Sequence, residues 1–278
     1  MSHCFPAPAK LNLFLHVVGR RADGYHLLQS IFRLIDRADL VHLDLRDDGV
    51  IARQGDVPGV PEAQDIAVRA AHLLKSFAPP GAGVTLRLDK FLPMGGGLGG
   101  GSSDAATVLL ALNRLWQVNL SRPELQTLAL QLGADVPVFI FGQTAFAEGV
   151  GEILHPVDAA PAWYVVLTPP VQVPTASIFT APELTRDTPA LKIAPFSAGM
   201  GRNDLQQVVM VRHPEVASHI NWLGQFGEAR MTGSGACVFA AFESESAAQA
   251  VLQRLPGSMQ GFVAQGLDRH PLYDFCAG

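Results

Sequence analysis

At 278 residues the chain can form one large domain or two modest ones, and 48% hydrophobic with 16% charged residues excludes a disordered protein. A net charge of −5, with no basic cluster beyond the pair at 20–21, argues against nucleic acid or an anionic membrane as partner but leaves a nucleotide open. Cys4, Cys237 and Cys276 are widely spaced without C-x-x-C. Together with an N-terminus that has no basic region ahead of a short, interrupted apolar run, this points to reduced thiols in a cytoplasmic protein.

The first clear element is "KLNLFLHV" (10–17), which alternates. Lys10, Asn12, Phe14 and His16 share one face, and Leu11, Leu13, Leu15 and Val17 the other. The pattern predicts a half-buried strand with Lys10 on its open face. An Asp-Gly turn in "RRADGYH" follows, then two further strands in "LLQSIFRLID" and "DLVHLDLRDD". "DIAVRAAHLLKSFA" has helical spacing and stops before Pro79-Pro80; "VTLRLDKFL" alternates again.

That strand leads into "PMGGGLGGGSSDAA" (93–106), where six glycines run into a helix carrying Ala105, Val108, Leu109, Leu112 and Leu115. A dinucleotide fingerprint fits Gly95, Gly97 and Gly100. It is disfavoured by the alternating strand, the intervening Pro93-Met94, and the lack of an Asp or Glu closing a second strand about 20 residues on. No Gly-Lys pair exists for a Walker loop, and neither H-R-D nor D-F-G occurs. The remaining reading is a loop whose bare N–H groups, with the helix dipole behind them, cradle an anion such as a triphosphate.

Ser121 and Glu124 stand in capping-box register for a helix closing on Gly133, and "VPVFIF" is a short helix that Asp135 could N-cap. From about residue 150 come a strand in "WYVVLTPP" and a proline-rich stretch to about 200 that includes the loop-like "VPTASIFTAPEL". A helix in "ASHINWLGQFG" follows, then strand, glycine turn and strand in "ARMTGSGACVFAAF". A helix in "ESAAQAVLQRL" and a strand in "GFVAQGL" close the chain. Strands and helices without long buried parallel runs favour α+β over a doubly wound sheet.

Three segments together resemble the GHMP kinase superfamily: "PAPAKLNLFLHVVGRRADGYHLLQSIF" (6–32), "PMGGGLGGGSSDAA" (93–106) and "TGSGACVFA" (232–240). "GADVPVF" (133–139) and "AEGVGE" (147–152) are in the same style. The resemblance covers about residues 6–268. It implies an N-terminal nucleotide-binding domain over 1–152 with a left-handed βαβ unit, and a ferredoxin-like C-terminal substrate domain over 153–278. It also implies Mg²⁺-dependent transfer of the ATP γ-phosphoryl to the 2-hydroxyl of a diphosphocytidyl-methylerythritol.

By the same resemblance, Lys10 and Asp135 are catalytic. Pro93, Met94, Gly95, Gly96, Gly97, Leu98, Gly99, Gly100, Gly101, Ser102 and Ser103 bind ATP. Asn12, Tyr25, His26, Thr175 and Phe179 bind the acceptor, the aromatic residues enclosing a cytosine. Gly233, Ser234 and Gly235 close on the phosphates. Read from the residues alone, Lys10 is equally a solvated surface lysine, Phe179 a core residue and "TGSG" a tight turn; Cys237 is a buried, inert thiol. "QDIA" (64–67) replaces the family's asparagine and apolar pair near adenine, which leaves Asp65 and Ile66 without an assigned contact. Asp104, Ser102 and Ser103 are the candidates for the metal. A monomer or weak homodimer is the expected state. The alternatives are a GHMP kinase acting on mevalonate or homoserine, a nucleotide sensor without catalysis, and an NAD-dependent dehydrogenase.

Overall fold

The computed structural model describes residues 2–192 and 201–275; Cys276 lies outside them. Strand β1 (Ser2–Arg20) and strand β2 (His26–Arg46) form a long antiparallel hairpin across a five-residue turn that needs Gly24 at φ 91°. The pieces 27–36 and 39–48 are one strand rather than two. Pro8 pairs with Ala38 and Ala9 with Ile35, so Asp36 and Arg37 form a bulge that bends β2 without ending it.

β3 (Ile51–Arg53), α1 (Ile66–Lys75) and β4 (Gly83–Asp89) make a parallel crossover, with β4 antiparallel to the far half of β2. α2 (Gly100–Leu115) is buried on every side from Ser103 to Asn113. α1 packs along it, and α4 (Val136–Phe141) joins the same core. α3 (Arg122–Leu130) starts on the capping box, Ser121 N donating to Glu124 Oε2 at 2.7 Å, and ends ahead of Gly133. β5 (Ala145–Glu148) pairs with β2 and with β6 (Ile153–Pro156).

The second layer is the antiparallel order β10–β7–β9–β8, from β7 (Trp163–Leu167), β8 (Arg230–Met231), β9 (Val238–Phe242) and β10 (Gly261–Leu267). α6 (Gln206–Arg212), α7 (Pro214–Leu223) and α8 (Glu245–Leu252) build the core of this half. α5 (Thr175–Phe179) falls inside the stretch expected to be loop: Pro174 opens its single turn, and Ile178 anchors it in that core. β10 also reaches β2 through Gly266 and Leu267, joining the two halves into one sheet.

A third core lies where the halves meet and includes Leu11, Phe14, Leu98, Tyr164, Cys237 and Phe239. Here the half-buried strand expectation fails, because β1 is covered on both faces, Lys10 and Asn12 retaining only 2% of their exposure. Alternation tells which residues share a face, and not what will cover that face. Residues 201–204 clamp β1 from the second half. Leu15 N donates to Arg202 O, Asp204 N to Leu15 O, and Val17 N to Asp204 Oδ2. β6 and the tail after β10 return to the first half: Arg33, almost fully buried, meets Asp268 at 2.9 Å, and His270 N donates to Gly142 O. No helix among the described residues is long and apolar enough to cross a membrane.

Candidate active site

The glycine loop is built by conformation and by direction of hydrogen bonding. Gly95, Gly97 and Gly99 have φ of 69°, 77° and 74°, alternating with residues of negative φ, which turns successive N–H groups to one side. The carbonyls face the protein instead. Gly96 O accepts from Cys237 N at 3.0 Å, and Leu98 O from Lys10 N at 2.9 Å. Among the described residues no protein acceptor takes the N–H of Gly95, Gly96, Gly97 or Gly99. A loop that satisfies its acceptors inward and leaves its donors open at a helix start is a site for an anion.

This loop borders a cleft of about 860 Å³ lying between the two halves of the chain. Of the residues predicted to hold ATP, Pro93 to Gly97 and Gly99 to Ser102 line it. Leu98 and Ser103 do not. Leu98 points into the junction core, and Ser103, with 0% exposure, sits on the inner side of α2 because helical geometry turns it away from its neighbour Ser102.

Lys10 lies at the bottom of the cleft. Its Nζ donates to Asn12 Oδ1 at 2.6 Å, lies 3.2 Å from Asp135 Oδ2, and sits over the Phe32 ring at 5.3 Å. Asp135 keeps 41% of its side-chain exposure and makes no capping bond to α4, so its carboxylate is free for Lys10 and the cleft. Asn12 is itself fixed: its Nδ2 donates to Ser30 Oγ at 2.8 Å and its N to Thr232 Oγ1 at 2.9 Å. A buried ammonium with one carboxylate and one amide oxygen, facing open N–H groups, suits a hydroxyl attacking a phosphoryl group.

The second glycine turn meets the first. A Cβ on Gly97 would lie 2.3 Å from Thr232 O, and one on Gly233 3.1 Å from Gly97 O, so both turns need bare backbone for this approach. Cys237 behind them is buried, its thiol pushed up to about 12 by burial, which fits the expected inert thiol.

At the far end, the His26 ring packs on Phe179 with centroids 5.0 Å apart and a 35° tilt. Phe179 lines the cleft while also touching the second core, so it is not solely a packing residue. Thr175 is held by Ser234 at 2.7 Å, and Tyr25 stands on the rim, 65% exposed. Asp65 N-caps α1 through Ala67 N at 2.9 Å and pairs with Arg53 at 2.8 Å, while Ile66 faces the cleft.

Sequence reading missed the supports. Lys90 lines the cleft and is held by Asp39 and Asp104, and Asp39 also accepts from the N–H groups of Phe91 and Leu92. Burial opposes the Lys90 charge, but the two carboxylates hold its pKa above the ordinary lysine value. Burial pushes the Asp104 carboxyl up to about 7, Lys90 pulling against it. Asn203 donates to Met231 O and Gly233 O, both at 2.8 Å, and so sets the second glycine turn. The sequence signal for Asp39 and Lys90 was charge beside apolar stretches, which does not say who pairs with whom, and Asn203 gave none.

Among the described residues no group of three or more His, Cys, Asp or Glu side chains could hold a metal ion. Mg²⁺ does not need such a cage, since it keeps several waters and binds through one or two protein groups plus phosphate oxygens. Of the three candidates for it, Asp104 and Ser103 are buried, and Ser102 alone lines the cleft.

The chain matches the family described as GHMP kinases N terminal domain over residues 65–143, and GHMP kinases C terminal over 188–260. It is 78% identical over 275 residues to a 4-diphosphocytidyl-2-C-methyl-D-erythritol kinase of Thiobacillus denitrificans, covering 99% of both chains. It is 61% identical to the enzyme of the same name in Nitrosospira multiformis, over 97% of this chain and 93% of that one. A crystal structure of 4-(cytidine 5'-diphospho)-2C-methyl-D-erythritol kinase superposes with a TM-score of 0.81 at 33% identity, over 96% of this chain and 99% of that one.

Proposed function

The chain belongs to the 4-diphosphocytidyl-2-C-methyl-D-erythritol kinases of the GHMP kinase family, and from that premise we propose how its cleft works. The enzyme transfers the γ-phosphoryl of ATP to the 2-hydroxyl of 4-diphosphocytidyl-2-C-methyl-D-erythritol, a step of the non-mevalonate route to isoprenoid precursors. The observation that carries the reading is the Lys10–Asp135 pair, 3.2 Å apart between the open N–H groups of the glycine loop and the aromatic pocket.

The roles divide by element. The part up to residue 152 holds the triphosphate on the N–H groups of Gly95 to Gly101, with Pro93, Met94 and Ser102 at its edges. The part from 153 closes the phosphates with Gly233 to Gly235 and the base with Thr175 and Phe179. Tyr25 and His26 complete the cytosine pocket, and Asn12 bonds the erythritol. Ser102, which lines the cleft, would hold Mg²⁺, and the ion when bound would supply neutralisation of charge on the transferring phosphate.

A carboxylate is far too weak a base to strip an alcohol in the ground state. Asp135 therefore orients the 2-hydroxyl and receives its proton late, as the bond to phosphorus forms. Lys10 meanwhile stabilises the negative charge that grows on the attacking oxygen. The test is ADP release from ATP and Mg²⁺ with the diphosphocytidyl substrate, mevalonate and homoserine in parallel. Turnover only with the first is expected; turnover only with mevalonate or homoserine overturns the substrate, and NAD binding without phosphoryl transfer overturns the class.

A further inference from the structure

Arg186 stands outside every motif that marked the site, yet its guanidinium is the most heavily used group around the aromatic pocket. It donates to the carbonyls of Phe179 at 3.0 Å, Ala181 at 2.6 Å and Leu184 at 3.0 Å, which ties the segment after α5 into one turn. Its Nε–H donates to His26 Nε2 at 3.2 Å.

That last bond has a chemical consequence. A guanidinium only donates, so Nε2 must offer its lone pair, and the ring must be neutral with its proton on Nδ1. Free histidine has no such constraint. Among the described residues Nδ1 has no protein partner; it is not shut away from solvent, and it belongs to a residue lining the cleft beside Phe179. Burial first, and then the charges of Arg186 and Arg20, also hold the His26 pKa below its usual value.

We propose that Arg186 is a positioning residue that selects the base: by donating to Nε2 it locks His26 as the Nδ1–H tautomer, which presents a hydrogen-bond donor to the base edge. The inference rests on the cytidine reading of this pocket given above. Cytosine carries a lone pair on its N3, which accepts from such a donor. Uracil carries N3–H, which would meet donor against donor and leave two polar groups unpaired in a partly desolvated pocket. Arg186 thus fixes discrimination through the histidine without touching the base.

The experiment compares the full chain with Arg186→Met. Tautomers are read by ¹⁵N NMR of the histidine rings in the free protein near neutral pH, the His26 signals being assigned with His26→Gln. Kinetics use the cytidine substrate and its uridine counterpart. The wild type should show His26 protonated on Nδ1, and Arg186→Met should move the proton population towards Nε2. In that variant KM for the cytidine substrate should rise about tenfold and the cytidine-over-uridine preference should fall about tenfold, with kcat and KM for ATP within about threefold. A wild-type His26 protonated on Nε2 overturns the proposal. So does a folded Arg186→Met enzyme that loses activity on both substrates equally with its tautomer unchanged, because that is a purely structural role. Failure of the wild type to use the cytidine substrate refutes the functional reading instead, and the tautomer measurement on the free protein is still decided by itself.

Discussion

Gly97→Ala tests the idea that the two glycine turns, from opposite halves of the chain, must touch for the site to exist. Two costs add at this position. The backbone is at φ +77°, where an L-residue with a Cβ loses about 1 kcal/mol. The new Cβ would also lie 2.3 Å from Thr232 O and 3.1 Å from its carbonyl carbon, both backbone atoms that cannot rotate aside. Reaching an ordinary contact means moving one turn by about 1 Å, an overpacking that typically costs about 1–3 kcal/mol. Thr232 also accepts the Asn12 N–H through Oγ1, so the displacement reaches the Lys10–Asn12–Asp135 group.

Gly59→Ala is the control, because Gly59 has a similar φ of +73° with nothing within 4 Å of its added Cβ. It carries the backbone cost alone, about 1 kcal/mol, or about 2–4 °C in Tm for a chain of this size. Gly97→Ala should lower Tm at least twice as far in a thermal melt and reduce kcat/KM for ATP more than tenfold, while Gly59→Ala keeps wild-type kinetics. If Gly97→Ala melts within a degree of Gly59→Ala and retains kcat/KM within twofold, the contact between the turns does not matter and the reasoning fails.

Asp135→Asn should lose at least about a hundredfold in kcat, in the range seen for removal of a proton acceptor, while a nucleotide titration shows ATP affinity little changed; near-wild-type kcat would remove Asp135 from the chemistry. Asn203→Ala leaves the carbonyls of Met231 and Gly233 unpaired in a buried place, so Tm should fall by an amount matching about 2–4 kcal/mol, with KM for ATP rising as the second turn loosens. Burial holds the Asp104 carboxyl at about 7 in the folded state, against 3.8 for a free carboxylate of its type, so the folded state binds the extra proton and stability declines as pH rises through that window. The Tm of Asp104→Asn relative to wild type should therefore improve between pH 4 and pH 8. A difference independent of pH would show that Lys90 holds the carboxylate charged throughout.

Local chemistry was written plainly in the chain. The Ser121–Glu124 capping box, the glycine run ahead of α2 and the turn at Asp23-Gly24 each depend on residues a few positions apart, and each formed as the spacing predicts. The motifs also named Lys10, Asp135 and the glycines as parts of one site. What the sequence could not give was the environment of those groups. Alternation in 10–17 placed Lys10 and Asn12 on one face but left that face open, whereas the fold buries it under a loop some ninety positions later and a turn beyond residue 230. The same limit hid Asp39 beneath Lys90, Asn203 behind the second turn and Arg186 behind His26, because each partner lies more than 25 positions away. A side chain's neighbours across such distances are set by how two halves pack around β1, and burial acts on whatever that packing brings together. Residue type fixed which chemistry was available; the junction of the two halves decided which groups lost their water and had to find each other.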